Sequence, residues 1–300
     1  MNKRLITFLS ILSLFISTSR VPVNAIEGGD LAIGKNVVQI TTNKPNSVGI
    51  CSGSVIAKNV ILTAKHCLGI TDVLLTGIIL GKEVYSPGSD ISDPKVERAK
   101  VLDFVTTSGV STDGPNGPGS QDIAFLIIDK SFPVPANLRI PTSSQIQAWK
   151  ALSQNSKTYG YGINSSGIKS FLPKKIEQKL SSLKEINLKQ LTLNHVTRDA
   201  YVCAGDSGGP TFIEENGFEY ILGPMVGTNL SGCQRESLPG PATSVITSLL
   251  EFDSLLQEAK AKAQLIPSTV NIQIVCFKGK TTKKISGTNP KCPTGYKKKL

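Results

Sequence analysis

The chain of 300 residues is long enough to bury one large hydrophobic core or two moderate ones. Hydrophobic residues make up 39% of it and charged residues 18%, a balance typical of a globular protein, which excludes a disordered chain. The formal net charge is +11, so an anionic partner has to be considered.

Residues 1–25 have the organisation of a secretory signal peptide. A basic start, Met1-Asn2-Lys3-Arg4, precedes an apolar run over 5–16, and Val23-Asn24-Ala25 supplies a small residue at the cleavage position. The apolar run is too short for a lasting membrane anchor, and no later segment is long and apolar enough to span a bilayer. We therefore expect a secreted, extracellular protein without a transmembrane segment, in a compartment where disulfides form.

Short apolar runs separated by Gly, Pro, Asn and Asp clusters follow, and their spacing predicts an all-β barrel. These runs lie at 37–40, 54–56, 60–62, 73–75, 77–80 and 123–128. A proline-containing connector at 140–151 leads to a second set of strands that begins at 158–162. The lysine-rich segment 174–189 is expected to be a solvated helix or loop, and 244–263 has helical periodicity.

The chain has two histidines. His66 follows a predicted strand in Leu62-Thr63-Ala64-Lys65-His66-Cys67, whereas His195 has no motif around it and is expected to be a surface or loop residue. An exposed loop is predicted over 108–120, immediately before Asp122, which opens an apolar strand. Asp103 lacks that pattern, and Asp129 stands beside Lys130, as in a solvated surface pair.

The segment Cys203–Pro210 places Ser207 among glycines and directly behind an acid. Small neighbours let a substrate carbonyl approach Ser207, and the N–H groups of Gly205 and Ser207 are candidate donors to the oxyanion that forms on attack. A serine hydroxyl needs a base, and histidine suits that task near neutral pH. Taken alone, the segment is also compatible with a plain glycine-rich turn.

Three motifs resemble those of the chymotrypsin-like, or trypsin-like, serine peptidases. Thr63-Ala64-Lys65-His66-Cys67 resembles T-A-A-H-C, with Lys65 in place of the second alanine. Asp122-Ile123-Ala124-Phe125-Leu126 resembles D-I-A-L-L, and the run 205–210 resembles the nucleophile signature. The order of the three motifs along the chain, histidine, then aspartate, then serine, also agrees with that of the chymotrypsin-like family. An α/β-hydrolase needs a histidine after its serine, and a subtilisin-type order would need Asp30, whose surroundings do not support that role.

The resemblance covers about 26–263 and implies two six-stranded antiparallel β-barrels with a junction near 140–155. It also implies a C-terminal helix that packs on the second barrel. The implied activity is that of a secreted serine endopeptidase acting on proteins or peptides, in which Ser207 attacks, His66 transfers the proton and Asp122 orients His66. The alternative is a catalytically silent homologue that binds a partner or a surface. No cofactor and no metal are expected, and the protein is expected to be a monomer.

The six cysteines allow fifteen pairings, which the resemblance reduces to one. It implies the disulfides Cys51–Cys67 and Cys203–Cys233, which leaves Cys276–Cys292. In addition, Ile26-Glu27-Gly28-Gly29 looks like the family's activated N-terminus, whose ammonium pairs with the acid before the nucleophile, here Asp206. Signal cleavage after Ala25 would itself expose Ile26.

The resemblance places Tyr201 at the base of the specificity pocket, with Thr228, Leu230 and Gly240 in its walls. The family uses an aspartate at the position of Tyr201 to select basic side chains. We therefore predict against cleavage after Lys or Arg, and in favour of small or apolar side chains.

The excess charge lies in the tail. Residues 264–300 hold eight lysines and no acid, and residues 1–25 hold three basic residues, so the body 26–263 is neutral. This distribution predicts attachment of the tail to an anionic cell-wall or matrix polymer, with a solubilising hairpin as the alternative. A nucleic-acid partner is not expected for an exported chain.

Overall fold

The computed structural model describes residues 26–44, 47–68, 82–108, 121–164, 166–181, 189–197, 200–229, 233, 242–265, 272–279, 281–287 and 291–298. The predicted signal peptide therefore lies outside the described residues. The strands are β1 (Asp30–Leu31), β2 (Val38–Lys44), β3 (Ser47–Ala57), β4 (Val60–Thr63), β5 (Glu83–Tyr85), β6 (Arg98–Thr106), β7 (Ala124–Ile128), β8 (Leu138–Arg139), β9 (Asn155–Gly160), β10 (Lys174–Leu180), β11 (Gln190–His195), β12 (Pro210–Glu215), β13 (Phe218–Thr228), β14 (Thr243–Thr247), β15 (Ile272–Lys278), β16 (Thr281–Gly287) and β17 (Lys297–Lys298). The helices are α1 (Ser143–Ala151) and α2 (Asp253–Leu265), and short 3₁₀ turns lie at Lys65–Leu68 and Leu249–Phe252.

The first barrel consists of β2, β3, β4, β7, β6 and β5, which pair in that order and close on themselves. Alternate apolar side chains of these strands, among them Ile40, Val55 and Leu126, form one buried cluster. The predicted strands at 37–40, 54–56, 60–62 and 123–128 are confirmed in position. The apolar runs at 73–75 and 77–80, and 109–120 of the predicted loop, lie outside the described residues.

Strand β7 is buried on both of its faces. Ala124 and Leu126 belong to the cluster of the first barrel, whereas Phe125 and Ile127 belong to a second cluster that includes Leu256 of α2. Helix α2 contacts β4, β6 and β7. The expectation that the C-terminal helix packs on the second barrel is therefore wrong, because its apolar stripe covers the outer face of the first.

The second barrel consists of β9, β10, β11, β14, β13 and β12, and the pairing of β12 with β9 closes it. β1 adds to β10, and β8 pairs in parallel with β13. Buried residues of these strands and of α1 form its core, including Ile176, Leu193, Ile213, Leu222 and Ile246. The predicted fold of two six-stranded barrels is confirmed.

Two segments differ from their predicted conformation. Residues 174–180 form strand β10, in which Lys174, Ile176, Gln178 and Leu180 are buried, so a barrel position overrides the solvated helix or loop expected from the lysines. The helix predicted from 244 begins at Asp253, because 243–247 form β14 in the ladder between β11 and β13.

The predicted connector at 140–151 contains helix α1. Thr142 caps this helix through a capping box with Gln145, in which each side chain bonds the other residue's backbone N–H. Ile146 and Trp149 are buried against the second barrel, and Trp149 Nε1 donates to Glu215 Oε1 at 3.0 Å. The helix therefore closes one side of that barrel's core.

A separate three-stranded sheet follows the barrels, in the order β16, β15, β17. Cys276 of β15 is fully buried and is joined to Cys292. The other two disulfides are Cys51–Cys67 and Cys203–Cys233, so all three predicted pairings are confirmed. No helix in the described part of the chain is long and apolar enough to cross a membrane.

Candidate active site

His66 and Asp122 meet at the end of the first barrel. β4 ends at Thr63, the 3₁₀ turn Lys65–Leu68 follows, and Asp122 lies just before β7, the neighbour of β4. One oxygen of Asp122, Oδ2, lies 2.6 Å from His66 Nδ1, and the other, Oδ1, accepts the His66 backbone N–H at 2.9 Å. Asp122 thus holds both the ring and the backbone of His66. The carboxylate is buried, whereas the His66 side chain is 34% exposed.

The loop that carries Ser207 is fixed against β3 by Ser52. The Ser52 N–H donates to Ser207 O at 2.8 Å, and Ser52 Oγ donates to Gly205 O at 2.9 Å. The same hydroxyl accepts the Tyr161 N–H at 2.9 Å. Ser207 O also lies 3.5 Å from Cys67 Sγ, which places the serine loop beside the residue that follows His66. Ser52 is not among the residues that the sequence predicts for the site, and its signal in the sequence is a serine next to a disulfide cysteine on an apolar strand.

Gly208 is required where the serine loop meets β4. Its φ is +81°, a conformation that L side chains rarely adopt, and a Cβ atom there would collide with Thr63 Oγ1 and Ser52 O. The Gly208 N–H donates to Met225 O at 2.7 Å. The loop can therefore approach the histidine side of the site only with glycine at this position.

Asp206 is completely buried behind the serine. Its carboxylate accepts the N–H groups of Gly162 and Cys203, both at 2.8 Å, and the backbone N–H of Ile26. Burial raises the pKa of Asp206 to about 7, and these three hydrogen bonds oppose the rise. A Cβ atom at Gly160 or Gly162 would collide with this carboxylate, so both glycines make room for it. The structure thus brings together the two members of the predicted activation pair, Ile26 and Asp206.

The competing acids lie away from this site. Asp103 Oδ2 lies 3.3 Å from the Nζ of Lys262 in α2, and Asp129 Oδ1 accepts the Lys100 backbone N–H at 2.8 Å. His195 is not a surface or loop residue, which corrects the prediction. It ends β11, its Nε2 lies 2.6 Å from Ser244 Oγ inside the second barrel, and burial lowers its pKa to about 4.

Tyr201 is buried beside the Cys203–Cys233 disulfide and Ile163. Its N–H donates to Glu27 O at 3.0 Å, so the backbone next to Ile26 and the predicted pocket base are in direct contact. Thr228 ends β13 and donates to Thr243 O at 2.9 Å. The other predicted wall residues, Leu230 and Gly240, lie outside the described residues.

One group of possible metal ligands lies in the described part of the chain, namely Cys51, His66 and Cys67. The two cysteines are joined as a disulfide, so neither offers a thiolate. This donor set does not fit a metal ion.

Comparisons with known proteins show what the chain is similar to. A family model described as Trypsin matches residues 26–250. The chain is 26% identical over 257 residues to Lectizyme of Glossina austeni, a match that covers 79% of this chain and 87% of that protein. It is 24% identical over 218 residues to the hepatocyte growth factor activator serine protease of Mus musculus, a match that covers 65% of this chain and 31% of the mouse protein.

Proposed function

Because the chain belongs to the trypsin family of serine peptidases, we propose that it is a secreted serine endopeptidase that uses Ser207, His66 and Asp122 as its catalytic triad. The observation that carries the proposal is the double hold of Asp122 on His66, through the ring at 2.6 Å and the backbone at 2.9 Å. Such a hold fixes the ring orientation and the tautomer that general-base catalysis requires.

In the proposed reaction, Asp122 keeps a proton on Nδ1 of His66, so Nε2 is the acceptor. The Ser207 hydroxyl passes its proton to Nε2 as its oxygen bonds to the substrate carbonyl carbon. The imidazolium then returns the proton to the leaving amine as the peptide C–N bond breaks, which leaves an ester on Ser207. A water molecule hydrolyses the ester by the same proton path.

The proposed oxyanion donors, the N–H groups of Gly205 and Ser207, belong to peptide groups that are already held in place. The Gly205 N–H shares its peptide group with Ala204 O, which accepts the Ile163 N–H at 2.8 Å. The Ser207 N–H shares its peptide group with Asp206 O, which accepts the Gly209 N–H at 2.9 Å. In a trans peptide the N–H points away from its C=O. Both N–H groups are therefore oriented before a substrate arrives, which is what electrostatic stabilisation of an oxyanion demands.

Signal cleavage after Ala25 is the proposed activation step. It would place a new ammonium at Ile26, whose N–H already donates to Asp206. A positive charge at that point favours the carboxylate and so lowers the pKa of Asp206. N-terminal sequencing of the secreted protein tests this step, and a mature chain that begins at any residue other than Ile26 would reject it.

For specificity, we propose small or apolar side chains at the residue before the cleaved bond. Tyr201 offers no charge at the predicted pocket base, and it lies against the Cys203–Cys233 disulfide and Ile163. A panel of chromogenic peptides that differ only in that residue tests the proposal. It fails if peptides with arginine are cleaved fastest.

The tail has a proposed role of its own, attachment to an anionic polymer. Five lysines of the described tail are exposed. Four lie on the small sheet of β15, β16 and β17, and the fifth, Lys291, directly precedes Cys292 of the Cys276–Cys292 disulfide. The Nζ of Lys283 lies over the Tyr296 ring, 5.2 Å from its centroid. The full chain should be retained on a polyglutamate resin and eluted by salt. Changing the exposed tail lysines to glutamine should lower the eluting salt concentration; they are Lys278, Lys283, Lys284, Lys291 and Lys297.

A matched control separates the position of the charge from its total amount. Five exposed lysines of the barrels are changed to glutamine in the same way, namely Lys35, Lys58, Lys95, Lys100 and Lys179. The tail proposal predicts that this variant elutes later than the tail variant. If the two variants elute together, or the barrel variant elutes first, the tail is not the attachment surface.

Hydrolysis of a fluorescein-labelled, unfolded protein tests the proposed activity. The secreted chain should release labelled peptides, and the Ser207→Ala variant should not. Equal release from both proteins would reject Ser207 as the nucleophile. If neither protein releases peptide from any substrate, the silent homologue becomes the better account.

A further inference from the structure

Lys65 stands where the motif resemblance led us to expect alanine, and it is 3% exposed. Its Nζ donates to Thr107 O at 2.7 Å and lies 3.4 Å from Thr107 Oγ1. A buried ammonium loses its hydration and is tolerated only where acceptors replace the water. Burying the Lys65 ammonium next to His66 therefore costs free energy, although the side chain takes no part in the proposed reaction itself.

Thr107, which accepts the hydrogen bond of Lys65, connects Lys65 to the chain directly before Asp122, the partner of His66. Thr107 Oγ1 donates to Gln121 O at 2.7 Å, and Gln121 is the residue directly before Asp122. A continuous series of hydrogen bonds thus runs from Lys65 through Thr107 to Gln121. It joins the residue before His66 to the residue before Asp122.

Asp122 lies just outside β7, which begins at Ala124, and its backbone carbonyl accepts the Thr247 hydroxyl at 3.1 Å. On its N-terminal side Thr107 holds Gln121, and the segment 108–120 joins these two residues. A displacement of about 1 Å in a catalytic group costs about 100-fold in rate. The contacts of Asp122 with His66 therefore depend on how firmly the ends of that segment are held.

We propose that Lys65 is a positioning residue, which fixes Asp122 relative to His66 by tying the histidine turn to Thr107 and, through it, to Gln121. The inference rests on the proposed function, since it assigns Lys65 a part in the work of that triad. It also concerns the His66–Asp122 hydrogen bond as such, which is measurable whether or not the protein cleaves peptides.

The test compares Lys65→Met, which keeps the side-chain length and removes the ammonium, with Thr107→Val, which removes the bridging hydroxyl. Thr106→Val is the matched control, because Thr106 Oγ1 makes an equivalent bond of 2.7 Å to Ile123 O. The backbone ladder between β6 and β7 already supports the chain there. Each variant is checked for folding by thermal unfolding before its activity is measured.

We expect Lys65→Met to lower kcat and the rate of labelling by a fluorophosphonate about 10- to 100-fold, with KM changed less than about twofold. Thr107→Val should act in the same direction, and the double variant should be no slower than Lys65→Met alone, because both changes break the same connection. Thr106→Val should stay near the wild-type rate. The deshielded NMR resonance of the proton between His66 and Asp122 should shift or broaden in the two slow variants only.

Wild-type labelling and an unchanged resonance in folded Lys65→Met would overturn the inference, as would a change in KM with kcat unaffected. Should Lys65→Met fail to fold, Thr107→Val decides, and wild-type behaviour of that variant overturns the inference. Failure of the proposed function looks different, because wild-type protein would then not be labelled at all. In that case the resonance alone tests whether Lys65 positions the pair.

Discussion

If Ile26 becomes the N-terminus, as proposed, its contact with Asp206 changes stability in a way that can be measured. The perturbation is one residue at the N-terminus: a chain that begins at Ile26 is compared with a chain that retains Ala25. In the continuous chain Asp206 is fully buried with a pKa raised to about 7, against an ordinary value of 3.8. Its neutral form is therefore favoured in the folded state.

The sign and size of the effect follow from proton linkage. An acid whose pKa is raised by folding costs no stability below its ordinary pKa, and the cost grows between about pH 4 and pH 7, where it levels off. A rise of about 3 pKa units corresponds to about 4 kcal/mol, of which about 3 kcal/mol appears between pH 5 and pH 8. A free ammonium at Ile26 removes most of this cost, because it stabilises the carboxylate.

Denaturant unfolding of both chains, with disulfides intact, at half-unit steps from pH 5 to pH 8 provides the assay. The chain that retains Ala25 should lose about 3 kcal/mol more than the chain that begins at Ile26 over this range. The α-amino groups of the two chains also differ in position, but their ordinary pKa of about 8 confines that effect to the upper end of the range. The remaining titrating groups are common to both chains and cancel in the difference. Asp206→Asn in each chain is the control, and it should abolish the difference. Parallel stability curves for the two unsubstituted chains would refute the reasoning.

Two further predictions concern single residues. Burial lowers the pKa of His195 from 6.5 to about 4, so the folded protein keeps this ring neutral. Stability should therefore fall by about 3 kcal/mol as the pH drops from about 6.5 to about 4. In His195→Gln the stability curve should be flat over that pH range, and an unchanged slope would contradict the assignment. Ser52→Ala removes the hydroxyl that holds Gly205 O and the Tyr161 N–H, so it should cost about 1–3 kcal/mol in stability and lower kcat. The control is Ser54→Ala, two residues further along β3, because the buried Ser54 hydroxyl has no hydrogen-bond partner among the described residues. Equal losses of stability in the two variants would reject the role of Ser52.

Predictions from the sequence succeeded where the signal is local. Apolar patterning alone predicts β2, β3, β4 and β7 of the first barrel but not β5 and β6, and short motifs locate Ser207, His66 and Asp122. The structure brings His66 and Asp122 into contact and sets the Ser207 loop beside Cys67. Their catalytic roles stay predictions.

The errors arose where distant residues decide the conformation. Lys174 lies in a buried strand because its Nζ donates to Gly29 O at 2.8 Å, a partner 145 residues away in the sequence. His195 is half-buried at the end of β11, where Ser244 of the neighbouring β14 bonds its ring. The hydrogen bonds that connect Lys65 through Thr107 to Gln121 likewise join residues that are far apart in the sequence, so no local sequence pattern could reveal them.

Mass spectrometry of the protein after treatment with a fluorophosphonate tests whether Ser207 is an activated nucleophile. One covalent adduct per chain is expected, located on the peptide that contains Ser207 and absent from the His66→Ala variant. An unmodified Ser207 in folded protein that begins at Ile26 would contradict this expectation, as would modification that persists without His66.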